Sequence, residues 1–455
     1  MKYILLSGGS GKRLWPLSND TRSKQFLKVL RNDEGQLESM VERVWRQLKN
    51  ADIDQSAYVA TGKVQREILQ SQIGEQVPLI IEPERRDTFP AIALAAVYLY
   101  SVESVSLEEC VAILPVDPYV EDPFFEHIKK LEDVLRESKA DLALMGVKPT
   151  FPSEKYGYIV PEPSTDSSEP FMRVASFQEK PTQSKAAELI AQSALWNCGI
   201  FAFKLDFLIT LLIKKGLPIQ YEELARQYGK MDKISFDYEV VEKTKNIAML
   251  SYDGVWKDLG TWNTLTEEMS TPIIGTGIMT DASHNTHLVN ELNIPVTVLD
   301  VPDVVVAASP DGILVASKES TPKIKDIIKS IEQPPMYEER VWGKYRILDC
   351  VLGENGHKAL TRRLCILAGK HHSYQVHRTH DEVLTVLSGT GEMILDERLQ
   401  PIQAGDVIRI PAGTRHSLRA LTDLELIEIQ NGTGAFEENT VELCTTWTEI
   451  VRLCI

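Results

Sequence analysis

A chain of 455 residues is too long for one ordinary hydrophobic core and predicts two or three domains. Its formal net charge of -16 disfavours nucleic acid and anionic membrane surfaces as partners, because both attract clustered Lys and Arg. No apolar run approaches the ~20 residues that a membrane span requires, and the N-terminal MKYILLSGG reaches glycine before a signal-peptide core is complete. We therefore expect a cytoplasmic protein, and its six scattered cysteines predict reduced thiols, not a disulfide framework.

The chain contains three consecutive regions that differ in their pattern of apolar residues. Residues 1–270 alternate short apolar runs with amphipathic stretches, which predicts a layered α/β domain with a mainly parallel sheet. Residues 271–335 begin with short β-branched runs, which indicate a small β connector, and continue into one linker helix that ends before Pro334 and Pro335. Residues 336–455 alternate strands and turns densely, which predicts an antiparallel barrel or sandwich.

A glycine-rich run, Ser7-Gly8-Gly9-Ser10-Gly11-Lys12-Arg13, follows the first apolar strand. Glycines let backbone N–H groups approach an anion, and the two basic residues add positive charge. The run is neither a Walker A loop, because Arg13 stands where Ser or Thr is needed, nor a dinucleotide fingerprint, because Leu14 replaces the last glycine. A phosphate loop and an ordinary strand-to-helix turn are the two interpretations of this run taken alone.

The continuation of this loop, GGSGKRLWPLSNDTRSKQFL, resembles the signature of the mannose-1-phosphate guanylyltransferases. Seven further motifs resemble that family and follow its order: IIEPERRDTFPAIALAA, ILPVDPYV, KYGYI, FQEKP, WNCGIF, SFDYEVVEKT and WKDLGTW. The resemblance covers essentially the whole chain, since longer members of the family also carry a C-terminal barrel. It implies a Rossmann-like nucleotidyltransferase domain with a mixed, mainly parallel sheet, followed by the connector and a cupin β-barrel.

The resemblance also implies a site. Its catalytic residues would be Arg13, Lys24, Asp117 and Asp258, with Lys24 neutralising charge at the α-phosphate and the two aspartates holding Mg²⁺. The nucleotide would contact Ser7, Gly8, Gly9, Gly11, Lys12, Glu82, Arg86, Asp87 and Thr88. The sugar phosphate would contact Gly157, Tyr158, Glu179, Lys180, Asn197 and Gly199. Taken singly, Asp117 and Asp258 could equally be turn residues at strand ends.

Nucleotidyl transfer explains why these residue types are needed. The attacking sugar-phosphate oxygen is already anionic, so the reaction requires no general base. Its difficulty is the repulsion between two polyanions, which calls for cations and backbone donors along the reaction line. Mg²⁺ suits this task because it prefers carboxylate and phosphate oxygens.

Five positions depart from the usual family pattern. Ser23 stands where Pro is usual, Lys12 where Thr is common, and Pro118 where His follows the aspartate. In the base segment, Asp87 replaces an Asn and Phe89 an Ala. The phosphate chemistry survives these changes, whereas the selectivity for base and sugar is left open.

A spacing argument applies to the C-terminal barrel. The run from Gly369 through Gln375, His377 and Glu382 fits the first cupin motif with Gln in place of its first His, and His416 completes the second motif. Residues two apart on a strand share a face, so these four side chains could hold a divalent metal such as Zn²⁺ inside the barrel. A purely structural barrel with a vestigial site is the alternative.

Bifunctional relatives use this barrel as a phosphomannose isomerase. VWGKY resembles the start of that domain, and the four barrel residues match its metal ligands. Such relatives usually continue the first motif with His-His-Arg and a later Trp, whereas this chain has Arg378, Thr379 and His380 followed by Val383 and Leu384. The sequence therefore disfavours isomerase activity.

These features predict an enzyme that makes GDP-mannose and pyrophosphate from GTP and mannose 1-phosphate by Mg²⁺-assisted in-line attack. The alternatives are a bifunctional isomerase, the same chemistry on another sugar 1-phosphate or nucleotide, and a catalytically silent sugar-nucleotide sensor. The sensor is disfavoured because Arg13, Lys24, Asp117 and Asp258 are all present. We expect no nucleic acid or membrane partner and a homo-oligomer, with a dimer favoured.

Overall fold

Two structural units divide the chain in the computed structural model, which describes residues 1–9, 11–163, 170–331, 333–353, 356–433 and 439–454. The first unit comprises Met1–Leu14 and Ser23–Thr271, and the second comprises Trp15–Arg22 and Pro272–Ile455. The short segment Trp15–Arg22 therefore belongs with the C-terminal part of the chain. The three-domain division drawn from the sequence stays a prediction.

A nine-stranded sheet in the order β5-β4-β1-β6-β11-β8-β12-β10-β9 is the centre of the first unit. The strands of this unit are β1 (Lys2–Ser7), β2 (Leu30–Arg31), β3 (Leu37–Glu38), β4 (Ala57–Gly62), β5 (Leu79–Glu82), β6 (Cys110–Pro115), β7 (Pro118–Val120), β8 (Leu142–Val147), β9 (Tyr158–Pro161), β10 (Met172–Gln178), β11 (Leu195–Lys204), β12 (Ile247–Tyr252) and β13 (Trp256–Asp258). Only β10 and β11 run against the other strands of the sheet, because β11 is antiparallel to β6 and β8, and β10 to β12 and β9. The prediction of a mixed, mainly parallel sheet is confirmed.

Helices cover both faces of this sheet. They are α1 (Met40–Asn50), α2 (Arg66–Ile73), α3 (Thr88–Ser101), α4 (Pro123–Lys129), α5 (Leu131–Ser138), α6 (Gln183–Ala191), α7 (Leu205–Lys214), α8 (Tyr221–Gln227), α9 (Phe236–Glu239) and α10 (Trp262–Glu268). Alternate residues of β1 face opposite cores: Tyr3 and Leu5 pack with α1, α2, α4 and α5, whereas Ile4 packs with α3, α7 and α8. Each face of the sheet thus has its own apolar core, which gives a three-layered α/β arrangement.

The connector of the second unit is built from parallel β-pairs. Its strands are β14 (Ile273–Gly275), β15 (Gly277–Met279), β16 (His287–Asn290), β17 (Val296–Val298), β18 (Val304–Ser309) and β19 (Gly312–Ser317). Strands β14, β16 and β18 pair in parallel, as do β15 and β17, and β19 closes the first sheet in the antiparallel direction. The small β connector is therefore present as predicted.

The predicted linker helix is present as a continuous helical segment from Lys318 to Ser330, but it is not a uniform α-helix. It is broken into a 3-10 turn (Lys318–Lys323), the single α-turn α11 (Ile324–Ile327) and a second 3-10 turn (Ile328–Ser330). Pro322 lies inside the first turn and has no N–H to donate. Ile324 is buried but Ile327 is 70% exposed, so only a narrow face of the segment is buried.

The C-terminal region contains two antiparallel sheets packed face to face. The elements are β20 (Tyr337–Arg340), β21 (Gly343–Leu352), β22 (His357–Ile366), β23 (Tyr374–His377), β24 (His380–Ser388), β25 (Thr390–Leu395), β26 (Arg398–Gln403), β27 (Val407–Ile410), β28 (Arg415–Ala420), β29 (Leu424–Thr433), β30 (Thr440–Cys444) and α12 (Trp447–Cys454). The orders are β20-β21-β22-β29-β24-β27 and β26-β25-β28-β23-β30. A core that includes Leu364, Val386, Met393 and Leu426 lies between them, as the predicted barrel requires.

Candidate active site

The glycine-rich loop leaves β1 at the carboxyl edge of the parallel part of the sheet. Gly11 has a φ of +31°, and a Cβ there would lie 2.5 Å from the Ser23 Cα and 2.7 Å from the Lys24 backbone nitrogen. Only glycine permits this approach, so the loop packs directly against the helical turn Lys24–Phe26. Ser10 lies outside the described residues.

Side chains behind the loop fix its conformation. Gln65 Nε2 donates to the Gly9 carbonyl (3.3 Å) and to Ser23 Oγ (2.8 Å), and Thr61 Oγ1 donates to the Ser7 carbonyl (3.3 Å). Gln65 and Thr61 were missed by the sequence analysis, because neither lies in a motif of charged or glycine residues. Ser23, which replaces the usual Pro, therefore contributes a hydrogen-bond acceptor behind the loop.

The other predicted loop residues differ in exposure. Gly8, Gly9 and Arg13 are exposed, and Lys12 is half-buried in the 3-10 turn Lys12–Leu14. Their positions at the strand end place backbone and positive charge at one edge of the sheet. Their contacts with a triphosphate stay a prediction.

Three residues from distant parts of the sequence meet at this edge. The short strands β7 and β13 pair so that Asp258 lies opposite Pro118, which brings its carboxylate beside that of Asp117. Lys24 Nζ lies 2.6 Å from Asp117 Oδ2 and 3.2 Å from Asp258 Oδ1. Burial alone would lower the pKa of Lys24, but the two carboxylates outweigh it and raise the pKa above its usual value. The lysine is therefore a permanent cation in this position.

Two half-exposed carboxylates side by side are a donor set that suits a hard divalent cation. Gly260 keeps room for one of them, since a Cβ there would lie 3.0 Å from both oxygens of Asp258. Asp117, Asp258 and Lys24 thus form a charged cluster that can hold a metal ion and neutralise phosphate.

The predicted sugar-phosphate residues also come together. Glu179 is 9% exposed, and Lys180 Nζ lies 2.5 Å from its Oε1. A Cβ at Gly157 would lie 2.6 Å from Glu179 Oε2, so glycine is needed there for the carboxylate to fit. Asn197 Oδ1 accepts from the Gly199 N–H at 3.1 Å. Five of the six predicted residues therefore lie together in one polar cluster, the sugar-side cluster: Gly157, Glu179, Lys180, Asn197 and Gly199.

Asp237 joins this cluster and was missed in the sequence. Its Oδ1 accepts from Asn197 Nδ2 at 2.9 Å. Burial, followed by repulsion from Glu179, raises the pKa of Asp237 to about 7. The SFDYEVVEKT motif contains this residue, but nothing in the motif indicates which of its acids contacts the cluster.

Tyr158 is the sixth predicted residue, and the structure assigns it a different role. Its side chain is fully buried, and its hydroxyl accepts from the Ser153 N–H (2.8 Å) and donates to the Ser153 carbonyl (3.1 Å). Tyr158 is therefore a packing residue. Tyr156, two residues earlier, packs against Trp196 and Trp256, and burial followed by the charge of Asp258 raises its pKa to about 12.

Glu82 is the residue of the predicted base segment that lies beside the glycine-rich loop. Its side chain is 7% exposed and accepts from the Tyr228 hydroxyl at 2.7 Å. A Cβ at Gly8 would lie 3.8 Å from Glu82 Oε1, which places the carboxylate next to the loop. Burial raises the pKa of Glu82.

The remaining base-segment side chains bond to the protein itself. Arg86 donates to the Met231 carbonyl (2.7 Å), and Thr88 Oγ1 accepts from the Phe236 N–H (2.8 Å). Asp87 adopts a φ of +73° and caps α3 by accepting from the Thr88 N–H at 2.8 Å. These bonds help to hold α3 and the preceding loop in place, and contact of the three side chains with the base stays a prediction.

In the second unit, the barrel gathers all four predicted ligands. His377 Nε2 lies 3.1 Å from Glu382 Oε1, and His416 Nε2 lies 3.4 Å from Glu382 Oε2. Gln375 Nε2 lies within 3.4 Å of both imidazole nitrogens. The ligand atoms of the two histidines and the glutamate all lie within 4.8 Å of one another, a spacing that could hold a metal ion.

Outer contacts orient these ligands. His377 Nδ1 contacts Thr440 Oγ1 at 2.9 Å, and His416 Nδ1 contacts the Thr414 carbonyl at 3.2 Å, which leaves each Nε2 directed at the cluster. Burial lowers the pKa of His416, so its ring is neutral and able to ligate. Gln430, missed in the sequence, donates to Glu382 Oε1 at 2.7 Å.

Comparison with known proteins agrees with this arrangement. Residues 2–272 match the nucleotidyl transferase family, and residues 363–429 match the cupin domain. The fold and the charged cluster define a phosphate-handling α/β enzyme. The chain belongs to the nucleotidyl transferase family and carries a C-terminal cupin domain.

Named relatives extend over nearly the whole chain. The alginate biosynthesis protein AlgA of Pseudomonas aeruginosa is 28% identical, over 97% of this chain and 95% of its own length. A mannose-1-phosphate guanylyltransferase of Escherichia coli is 28% identical, over 96% of each chain. A crystal structure described as mannose-1-phosphate geranyltransferase from Thermus thermophilus has 28% identity and a TM-score of 0.61, and covers 73% of this chain and 99% of its own. Among the described residues, no helix is long and apolar enough to span a membrane.

We expect Lys24→Met to reduce nucleotidyl transfer by at least about 100-fold, the scale of losing one preorganised electrostatic contact. The cause is the loss of the cation held between Asp117 and Asp258. The rate of pyrophosphate release measures the effect. The control is Lys28→Met, because Lys28 is a partly exposed lysine nearby that pairs with Glu42. A Lys24 variant within about threefold of the unaltered chain would place the reaction elsewhere, since that is below the scale of such a contact.

We expect Asp237→Asn to raise Tm at pH 8 and to lose this advantage as the pH falls. The pKa of Asp237 rises from 3.8 to about 7 on folding, so the folded state holds the proton more tightly and loses stability as the pH rises between these values. Asn keeps the acceptor for Asn197 without the buried charge. Thermal unfolding from pH 4 to pH 8 tests this, with Asp232→Asn as an exposed control; a difference independent of pH contradicts it.

Proposed function

We propose that the chain transfers a guanylyl group from GTP to mannose 1-phosphate, forming GDP-mannose and pyrophosphate. The observation that carries this proposal is the cluster of Lys24 with Asp117 and Asp258, packed against the glycine loop through Gly11. Family membership already implies a nucleotide and a sugar phosphate as substrates. The names of the full-length relatives support mannose 1-phosphate as the sugar substrate.

In the proposed reaction, a phosphate oxygen of the sugar attacks the α-phosphorus of GTP. A new P–O bond forms, the bond between the α-phosphorus and the bridging oxygen breaks, and pyrophosphate leaves with that electron pair. Lys24 and Arg13 offset the negative charge of the phosphates, and the glycine loop supplies backbone donors. The attacking oxygen is already ionised, so no residue has to remove a proton.

Asp117 and Asp258 would hold Mg²⁺, and their paired, half-exposed carboxylates fit that ion. When bound, it would supply additional positive charge along the line of the phosphates. Asp117 and Asp258 would fix its place, while Lys180 meets the sugar phosphate and Glu179 accepts from sugar hydroxyls. Asp237 would be a second acceptor on the sugar side.

Glu82 supports guanine as the base. A carboxylate beside Gly8 can accept from the N1–H and N2–H₂ edge of guanine, which adenine lacks. The Tyr228 hydroxyl holds this carboxylate in one orientation. Of the predicted base segment, Glu82 is the side chain on which this proposal rests.

The decisive experiment measures pyrophosphate release across a matrix of nucleoside triphosphates and sugar 1-phosphates with Mg²⁺. We expect GTP with mannose 1-phosphate to exceed every other pair by at least about tenfold in kcat/KM, the scale of one or two specific hydrogen bonds. A preference for UTP or dTTP would overturn the guanine assignment. If no pair is turned over, the transferase proposal is wrong and the catalytically silent sensor becomes the favoured alternative.

For the barrel, we propose a divalent metal such as Zn²⁺ held by Gln375, His377, Glu382 and His416, without isomerase activity. The neutral imidazole of His416 and the oriented ring of His377 support metal ligation. The departures from the isomerase pattern in the first cupin motif argue against isomerisation. The homodimer and the cytoplasmic location stay predictions from the sequence.

We expect His377→Ala to lose the metal that copurifies with the full chain, because removal of one imidazole leaves a four-ligand site incomplete. Elemental analysis of purified protein measures the metal, and His357→Ala, at an exposed histidine outside the cluster, is the control. Equal metal content in both variants contradicts the site. Interconversion of mannose 6-phosphate and fructose 6-phosphate that is abolished by His377→Ala would establish the isomerase alternative instead.

A further inference from the structure

A cavity of about 580 Å³ lies within the second unit, between the connector and the outer face of the barrel. Its size falls in the range of ~300–1,000 Å³ that small-molecule sites occupy. Connector residues 291–294 and Pro310 form one side, and strands β20, β21 and β22 form the other. It is separate from the metal ligands, none of which lines it.

The wall of this cavity is rich in positive charge. Four basic residues line it, Arg22, Lys344, Arg346 and Arg363, against two carboxylates, Glu291 and Glu425. The protein as a whole carries a formal net charge of -16, so this local excess of two positive charges is opposite to the overall field. A recess of this kind favours an anionic small molecule.

The two carboxylates each form an ion pair with one of the basic residues. Glu291 binds Arg22 with both oxygens, at 2.9 and 3.0 Å, and Glu425 pairs with Arg363 at 2.7 Å. Glu339, which is the cross-strand neighbour of Lys344, is turned toward Arg22 at 3.6 Å. The remaining positive charges belong to Lys344 and Arg346.

Arg346 is placed unfavourably unless an anion is present. It lies directly opposite Arg363 in the β21–β22 pairing, and like charges in this position destabilise a sheet. Its Nε is buried and has no hydrogen-bond partner among the described residues. Lys344 is two residues earlier on β21 and therefore shares the same face.

We propose that this cavity binds a phosphate-bearing small molecule, with its phosphate held by Lys344, Arg346 and Arg363. Lys344 and Arg346 have no ion-pair partner among the described residues and can bind a phosphate anion, and the planar guanidinium groups suit its oxygens. Tyr337 and Leu348 supply apolar wall for the rest of the ligand. The proposal concerns a second site, and it does not depend on the reaction proposed above.

Binding to the full chain is measured by titration calorimetry with inorganic phosphate, pyrophosphate, a hexose 1-phosphate and a nucleoside diphosphate as separate probes. We expect Arg346→Gln to weaken binding of the tightest cavity probe at least about tenfold, the effect of losing one charge-assisted hydrogen bond. Arg398→Gln, at an exposed arginine on β26, is the matched control and should not change the affinity. The ranking of the probes distinguishes free phosphate from a phosphorylated sugar or nucleotide.

The proposed function predicts that some of these probes also bind the glycine loop, so variants are used to separate the two sites. Arg13→Gln should remove binding at the loop and leave the Arg346-dependent binding intact. If all phosphate binding disappears with Arg13→Gln and none with Arg346→Gln, the cavity is not a phosphate site. That result would leave the proposed transfer reaction standing, and failure of transfer would leave the cavity result standing.

Thermal unfolding supplies a second measurement, which distinguishes a binding role of Arg346 from a purely structural one. In buffer without phosphate, Arg346→Gln should keep or raise Tm, because it removes a like-charge contact. The rise in Tm that the binding probe produces in the unaltered chain should be lost. If Arg346→Gln unfolds the chain, the exposed Lys344→Gln is tested in its place, and unchanged phosphate affinity in that variant overturns the proposal.

Discussion

The ammonium group of Lys24 lies between the carboxylates of Asp117 and Asp258, and the local structure around it is arranged to permit that contact. Two like charges held side by side repel each other unless a cation lies between them. The pairing of β7 with β13 brings the two acids together, Gly260 leaves space for one of them, and Gly11 lets the lysine's turn pack under the glycine loop. The same cation therefore stabilises the two acids and lies at the edge of the sheet from which the glycine loop leaves β1.

The sugar side shows the opposite balance of charge. Glu179 is buried and Asp237 is partly buried, and Lys180 contributes one cation to this pair of acids. When two acids lie side by side away from water, ionisation of the second is unfavourable, and the pKa of Asp237 is raised for this reason. A cluster that contains a lysine, an acid that is protonated more easily than usual and an amide can both donate and accept hydrogen bonds. Sugar hydroxyls, which also donate and accept, fit such a lining better than a phosphate does.

The sequence predicted the features that local pattern determines. The alternation of short apolar runs with amphipathic stretches predicted the sheet and its helices. The resemblance of the motifs to a known family led to the choice of Lys24, Asp117 and Asp258 as site residues. It could not predict which hydrogen bonds form only in the tertiary structure. The hydroxyl of Tyr158 bonds to a backbone turn, and that of Thr88 bonds to the N–H of Phe236. Tyr158 and Tyr156 have the same side chain, and only their surroundings separate a packing residue from one that faces the acids.

Strand β22 contributes side chains both to the outer cavity and to the interior of the barrel, because its successive side chains point to opposite faces of the sheet. Arg362 and Arg363 are neighbours on β22 and face opposite sides of the sheet. Arg362 points inward, where it is bonded to the buried Glu428, and its positive charge is fully paired. Arg363 points outward, where it shares one carboxylate and lies opposite Arg346. Inside the barrel an unpaired charge would destabilise the fold, so charges there are satisfied by protein; outside, incomplete pairing is tolerated and leaves capacity for a ligand.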